Sequence, residues 1–172
     1  MPYASINPYT SELVKSFPDA TDAEVAGAID QAQAAFQTWK HTSFAVRATV
    51  MRAAAELLRR QCDDYARLLT LEMGKLFAEA RAEVALAADI FDYYARHAES
   101  LLAPQQLPVA SPDEGSAMLV HEPLGVLLAI EPWNFPYYQI ARIIAPQLSA
   151  ASATSARASA NSLPISSVSR RA

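Results

Sequence analysis

Leu124-Gly-Val-Leu-Leu-Ala-Ile-Glu-Pro-Trp-Asn-Phe-Pro136 decides the reading of this chain. A short apolar run leads into a turn that carries one amide side chain. A Pro then opens an amphipathic helix, with Tyr138, Ile140, Ile143 and Ile144 at helical spacing as far as Leu148. An apolar run without polar alternation reads as a buried strand of a parallel sheet. Proline suits the first helical position because its missing N–H would have had no helical partner there. The layout delivers Asn134 to the carboxyl edge of a parallel sheet, where ligands of open α/β folds bind. The fold class is therefore α/β.

Upstream, Ala4–Thr10 and Leu13–Phe17 read as two short strands around an Asn7-Pro8 turn. Thr21-Asp-Ala-Glu24 is a capping box, and Val25, Ile29, Ala32, Phe36 and Trp39 follow at helical spacing. A second helix starts near Ser43, with Val46, Val50, Ala54, Leu57 and Leu58 inward. It breaks near Gln61 and continues through Tyr65, Leu68, Leu69 and Met73 to a Gly74 cap. A third helix covers about Ala78 to Leu102, with Val84, Leu86, Ala87, Ile90, Phe91 and Tyr94 on its apolar side and Pro104 closing it. Gln106–Val109 and Ser116–His121, separated by Ser111–Gly115, read as a hairpin. From Ala151 to Ala172 Ala and Ser dominate without apolar period. Such a segment offers little burial to offset its ordering entropy, so a disordered tail is expected.

The chain has 172 residues, enough for one ordinary domain, and a net charge of −4, which argues against nucleic acid as a partner. Arg47, Arg52, Arg59, Arg60 and Arg81 are scattered along helices and read as solvated faces. The longest apolar run falls far below the roughly 20 residues of a bilayer span, so no membrane is expected. The first residues show no charged region followed by an apolar core, so no secretory signal is expected. A single cysteine, Cys62, fits a reducing cytoplasm.

Asn134 has two roles open to it. Its amide can stabilise a developing oxyanion in a cleft, a donor typically worth about 10²–10³ in rate. It can equally cap the helix that follows, and spacing alone favours the cap. Trp133 can line a cofactor groove or pack the turn, packing being the commoner role for a lone Trp. Glu131 reads as a solvated carboxylate before a general base. Asp63 and Asp64 beside Cys62 disfavour a thiolate nucleophile. His41, His97 and His121 are too far apart in sequence for a zinc site, so no metal is expected. Gly27, Gly74, Gly115 and Gly125 form no phosphate loop. Phe91-Asp-Tyr-Tyr94 reads as core.

With Glu131-Pro-Trp-Asn-Phe-Pro136 in place, the chain resembles the aldehyde dehydrogenase superfamily. Ile6-Asn-Pro-Tyr-Thr10, Phe36-Gln-Thr-Trp39, Arg47, Leu71-Glu-Met-Gly-Lys75, Glu79-Ala-Arg-Ala-Glu83 and His121-Glu-Pro-Leu-Gly125 follow in the family's order. The match runs from about Ala4 to Ala150. The Glu-Met-Gly-Lys and Pro-Trp-Asn-Phe-Pro-Tyr-Tyr forms look most like the succinate-semialdehyde dehydrogenase branch.

The resemblance implies a division of the chain. Residues 1–104 would be the helical N-terminal part of a cofactor-binding domain, and 105–122 an oligomerisation hairpin. Residues 123–150 would be the first core strand and helix of the cofactor-binding domain, and 151–172 a tail foreign to the family, with the strand at 124–130 left without its sheet neighbours. It also implies roles: Asn134 as catalytic oxyanion donor, with Ile130, Pro132 and Trp133 along a groove for NAD or NADP. Arg157 falls near the family's ribose-binding Lys. The nucleophilic Cys and general-base Glu of the family have no counterpart here. The implied product is a truncated aldehyde dehydrogenase, inactive alone, whose intact relatives oxidise a small-molecule aldehyde to a carboxylic acid. The alternative is a non-enzymatic module that docks on full-length family subunits or forms a homo-oligomer.

Overall fold

A computed structural model describes residues 3–110 and 115–151 and the backbone of 153–158. β1 (Tyr3–Ile6) and β2 (Leu13–Phe17) form an antiparallel hairpin. The Asn7 side-chain oxygen holds its turn by accepting from the Tyr9 and Thr10 amides at 2.9 and 3.3 Å. Four helices follow: α1 (Asp22–Trp39), α2 (Phe44–Arg60), α3 (Cys62–Met73) and α4 (Phe77–Leu101). β3 (Gln105–Leu107) and β4 (Ala117–Leu119) pair antiparallel, as the hairpin reading requires, while 111–114 of the expected turn lie outside the described residues. β5 (Val126–Glu131), α5 (Pro136–Ser149) and β6 (Ala153–Ala158) complete a β-α-β unit.

Local signals act where they are written. Thr21 and Glu24 form the full capping box, with the Thr21 amide donating to Glu24 at 2.8 Å and the Glu24 amide to Thr21 Oγ1 at 3.2 Å. Ser43 caps α2 through the Val46 amide at 3.3 Å. The break at Gln61 separates α2 from α3. Gly74 ends α3 in the left-handed region at φ 67°, where a Cβ would also stand 3.0 Å from Pro8 Cγ.

The core joins Met51 and Ala55 of α2, Ala87, Ala88 and Phe91 of α4, and Ala141 and Ala145 of α5. A second cluster joins Ala66 and Leu69 of α3 to Ala80 and Val84 of α4. Alanines at these crossings let the helix axes approach, so burial falls on few large side chains, each worth about 1.5–3 kcal/mol. Three expected faces are corrected. Val46 and Leu57 of α2 and Leu86 of α4 are exposed, while Arg47 and Glu83 lie inside. The inward stripe of α2 runs through 47, 51 and 55, rotated from the expected one toward α4. On α1, Val25 and Ile29 are exposed; Trp39 anchors the far end by donating from Nε1 to the Leu148 carbonyl at 2.9 Å.

Arg47 was expected on a solvated face. It is buried, donates to the Thr42 carbonyl at 2.9 Å and lies over the Phe44 ring at 4.3 Å. Desolvation holds its guanidinium below the usual arginine range.

The expected tail is also corrected. Ala153–Ala158 is a strand parallel to β5, with Val126 opposite Ala153 and Glu131 opposite Ala158. β5 therefore has a sheet neighbour. The ladder joins backbone groups that must be paired somewhere, and a composition of Ala and Ser does not reveal that demand. Residues 159–172 of the expected tail lie outside the described residues. Burial of β5 is one-sided: Ala129 and Glu131 are buried, whereas Leu128 and Ile130 are 73% and 70% exposed. An apolar run in a parallel strand implies cover on both faces. Among the described residues the helices cover only one.

Candidate functional site at the carboxyl end of β5

The turn between β5 and α5 carries the residues singled out from the sequence. Ile130 near the end of β5 and Pro132, Trp133 and Asn134 of the turn are all exposed, Trp133 by 58%, with the buried Glu131 between them. Trp133 thus does not pack the turn. Pro136 occupies the first position of α5, as expected.

The start of α5 corrects one of the two readings of Asn134, the helix cap. Its cap position is Phe135, which makes no side-chain cap bond. The amides of Tyr137 and Tyr138 instead donate to Glu83 Oε1 at 3.0 and 3.3 Å. Glu83 comes from the second turn of α4 and is 4% exposed. A carboxylate at a helix N-terminus answers both the orphan amides and the positive end of the dipole. The helix end therefore takes its cap from a distant helix. The side-chain amide of Asn134 makes no hydrogen bond within the described residues; only its carbonyl is held, accepting from Lys75 Nζ at 3.0 Å.

Lys75 follows the Gly74 cap. Its ammonium forms an ion pair with Glu83 Oε2 and lies 3.8 Å from the centre of the Phe135 ring. Both charges of this pair are largely buried, and both are fully engaged. Sequence reasoning placed Lys75 and Glu83 in family motifs without giving them work. One local signal was available: Glu83 falls on the helical stripe of Ala80, Val84 and Ala87, where a carboxylate must find a partner.

Tyr137 lies beside the pair, and its hydroxyl is buried without a partner among the described residues. Burial, reinforced by Tyr65, Glu72 and Glu83, pushes its phenol up, so it stays protonated. Glu131 was expected to be solvated and is instead buried at the end of β5, on the face opposite Ile130. Cys62 packs in the α3–α4 cluster, its Sγ 3.7 Å from the Arg81 carbonyl. His41, His97 and His121 are exposed, and His97 rests on the Tyr93 ring at 4.6 Å. A cleft of about 250 Å³ between α2 and α4, lined in part by Phe44, Arg47 and Tyr94, shares no residue with the turn.

The exposed residues fit a dinucleotide in a limited way. Ile130, Pro132 and Trp133 offer apolar and ring surface at the sheet edge where such ligands lie. The backbone register sets Arg157 opposite Ile130. The N-terminus of α5 is already neutralised by Glu83, so a pyrophosphate must be held elsewhere. Among the described residues no helix is long and apolar enough to cross a membrane.

The sequence pattern of the aldehyde dehydrogenase family matches residues 1–168, so the match continues past Ala150 into the segment expected to be foreign to it. A succinate-semialdehyde dehydrogenase [NADP(+)] of Deinococcus radiodurans is 49% identical over 147 residues, covering 86% of this chain and 30% of that protein. Succinate-semialdehyde dehydrogenase [NADP(+)] 1 of Mycobacterium tuberculosis H37Rv is 47% identical over 150 residues, covering 87% and 33%. The crystal structure of succinic semialdehyde dehydrogenase from Streptococcus pyogenes, in complex with NADP+, superposes with a TM-score of 0.84 at 39% identity, covering 90% of this chain and 33% of the other. The chain thus spans about a third of the length of these relatives. The α/β arrangement, the order of the motifs and the matched length agree: the chain belongs to the aldehyde dehydrogenase family, on the side of its NAD(P)-dependent succinate-semialdehyde branch.

Proposed function

We propose that this chain supplies the oxyanion-stabilising amide, Asn134, and one wall of the NAD(P) groove for oxidation of an aldehyde, succinate semialdehyde in particular, to its acid. The observation that carries this reading is the release of the Asn134 side chain from capping duty by Glu83. An exposed NH₂ at the carboxyl end of a parallel strand can donate to a substrate carbonyl oxygen as negative charge gathers on it. Ile130, Pro132 and Trp133 would lie against the cofactor, which, when bound, accepts the hydride. The single cysteine, Cys62, sits in the α3–α4 cluster, so the attacking thiolate comes from another segment. A cytoplasmic setting suits that one free thiol.

The test is complementation. The purified chain with succinate semialdehyde and NADP+ should give no turnover by itself. Mixed with a separately produced C-terminal part of a succinate-semialdehyde dehydrogenase, it should form NADPH. Asn134→Ala should then slow the reaction by about 10²–10³ with KM little changed. Turnover by the chain alone, or an unaffected Asn134→Ala rate, would refute the reading.

One feature favours a second role, as a module that docks on intact family subunits or on a second copy of itself. Leu124 just before β5, Leu128 and Ile130 on it and Trp133 in its turn are exposed apolar side chains. Size-exclusion chromatography with and without a full-length relative separates the two. A monomer that ignores the enzyme argues against docking.

A further inference from the structure

We infer that Lys75 and Glu83 are positioning residues for Asn134, a clamp that fixes the backbone of the turn and so aims the amide. The inference rests on the reading of Asn134 given above and extends it to the machinery behind that residue.

The division of labour is visible in the bonds. Glu83 Oε1 takes two N–H groups from the first turn of α5, and Oε2 takes the Lys75 ammonium. Lys75 Nζ in turn donates to the Asn134 carbonyl at 3.0 Å and faces the Phe135 ring at 3.8 Å. One ion pair therefore touches four of the five positions 134–138, all but Pro136. Pro136 has no N–H to offer. With the Asn134 carbonyl pinned and α5 started in one direction, the peptide plane that follows Asn134 is set, and with it the direction in which the backbone presents its Cβ. The side chain itself is left unbonded and exposed. The bond from Lys75 joins the pair directly to the residue whose side-chain amide stays free. A buried ion pair is in any case weak evidence for stability, because desolvation offsets its attraction.

The elements that bring the pair together are rigid ones. Gly74 ends α3 in the left-handed conformation and turns the chain so that the next residue, Lys75, points at the turn. Glu83 sits two helical turns into α4, flanked by the fully buried Ala80, Val84 and Ala87. Neither side chain is free to wander, which is what orientation to within a fraction of an ångström demands.

The test is solution NMR on the chain itself, reading the backbone φ couplings of Asn134 and Phe135 together with hydrogen exchange at the Tyr137 and Tyr138 amides. In Lys75→Arg the Asn134 and Phe135 couplings should keep their native values. In the neutral double variant Lys75→Met/Glu83→Gln, the Gln oxygen still accepts both amides and no unpaired buried charge remains. Protection of Tyr137 and Tyr138 should then change less than about tenfold, while the Asn134 and Phe135 couplings collapse to conformational averages. In Lys75→Met/Glu83→Ala that protection should fall about 10- to 100-fold as well, the loss expected for hydrogen bonds to a charged group. Native φ couplings at Asn134 and Phe135 in the Lys75→Met/Glu83→Gln chain would overturn the inference. So would loss of the whole fold in that variant alongside an intact Lys75→Arg chain, because the pair would then hold the fold and not the turn. Backbone averaging in this chain combined with an unaffected Asn134→Ala rate in the complementation assay would leave the clamp standing and remove only the oxyanion role.

Discussion

The rings of Tyr65 and Tyr137 meet at 5.2 Å between centroids, tilted by 45°, and tie α3 to the first turn of α5. The Tyr137 hydroxyl brings no hydrogen bond to that contact and is buried. Removing it relieves an unpaired donor while keeping the ring. Tyr137→Phe is expected to raise stability by about 1 kcal/mol, read as a higher urea midpoint by circular dichroism. A clear loss of stability would show that the hydroxyl has a partner.

Gly74 answers two demands, a left-handed φ of 67° and a Cβ position 3.0 Å from Pro8 Cγ. Either alone disfavours a side chain. Gly74→Ala should cost about 1–2 kcal/mol from the backbone term, with a further loss from displacing Pro8. The same urea titration reads the sum, and Pro8→Ala in the Gly74→Ala background should recover the part owed to the contact.

Ala151 shows the opposite case. It follows α5 at φ 64°, a left-handed position at which glycine is the usual helix-ending residue. The strain is real because a Cβ is present. Ala151→Gly is expected to stabilise the chain by about 0.5–1 kcal/mol, net of the added freedom of the unfolded glycine. An unchanged or lower thermal midpoint would contradict it.

Glu72 on α3 gives the pH dependence a sign. Burial pushes its carboxyl above the usual glutamate range. The folded state therefore holds the proton more tightly than the unfolded chain. The stabilising contribution of the protonated form is complete below the unfolded pKa and is lost as pH rises through the raised folded value. Glu72→Gln should flatten the fall in stability across the upper carboxylate range and leave the neutral-pH protein slightly more stable. Paired urea curves at acid and neutral pH check both points.

What could be read from the sequence was local. The Thr21–Glu24 box, the break at Gln61, the Gly74 cap and the strand–turn–helix at 124–136 each depend on neighbours within a few residues, and each is present. The parallel pairing could be anticipated at β5 but not at β6, because a ladder is made of backbone groups and Ala153–Ala158 has no apolar period to announce it. The inward faces of α2 and α4 were misjudged for one reason. Arg47 reads from the sequence as solvated and Glu83 stands outside the apolar pattern of its helix, whereas each is buried and hydrogen-bonded, Glu83 to a distant element. The site followed the same divide: Ile130, Pro132, Trp133 and Asn134 were legible as a motif, and the residues that hold the turn were not, since Glu83 meets Tyr137 across 54 positions.

That separation bears on the order of assembly. α2, α3 and α4 are joined by short connections and can associate early, because closing short loops costs little entropy. The start of α5 has no side-chain cap of its own and gains its acceptor only when α4 is already in place. The loop bearing Asn134 thus acquires the acceptor for its helix start only through a distant helical layer that must already stand.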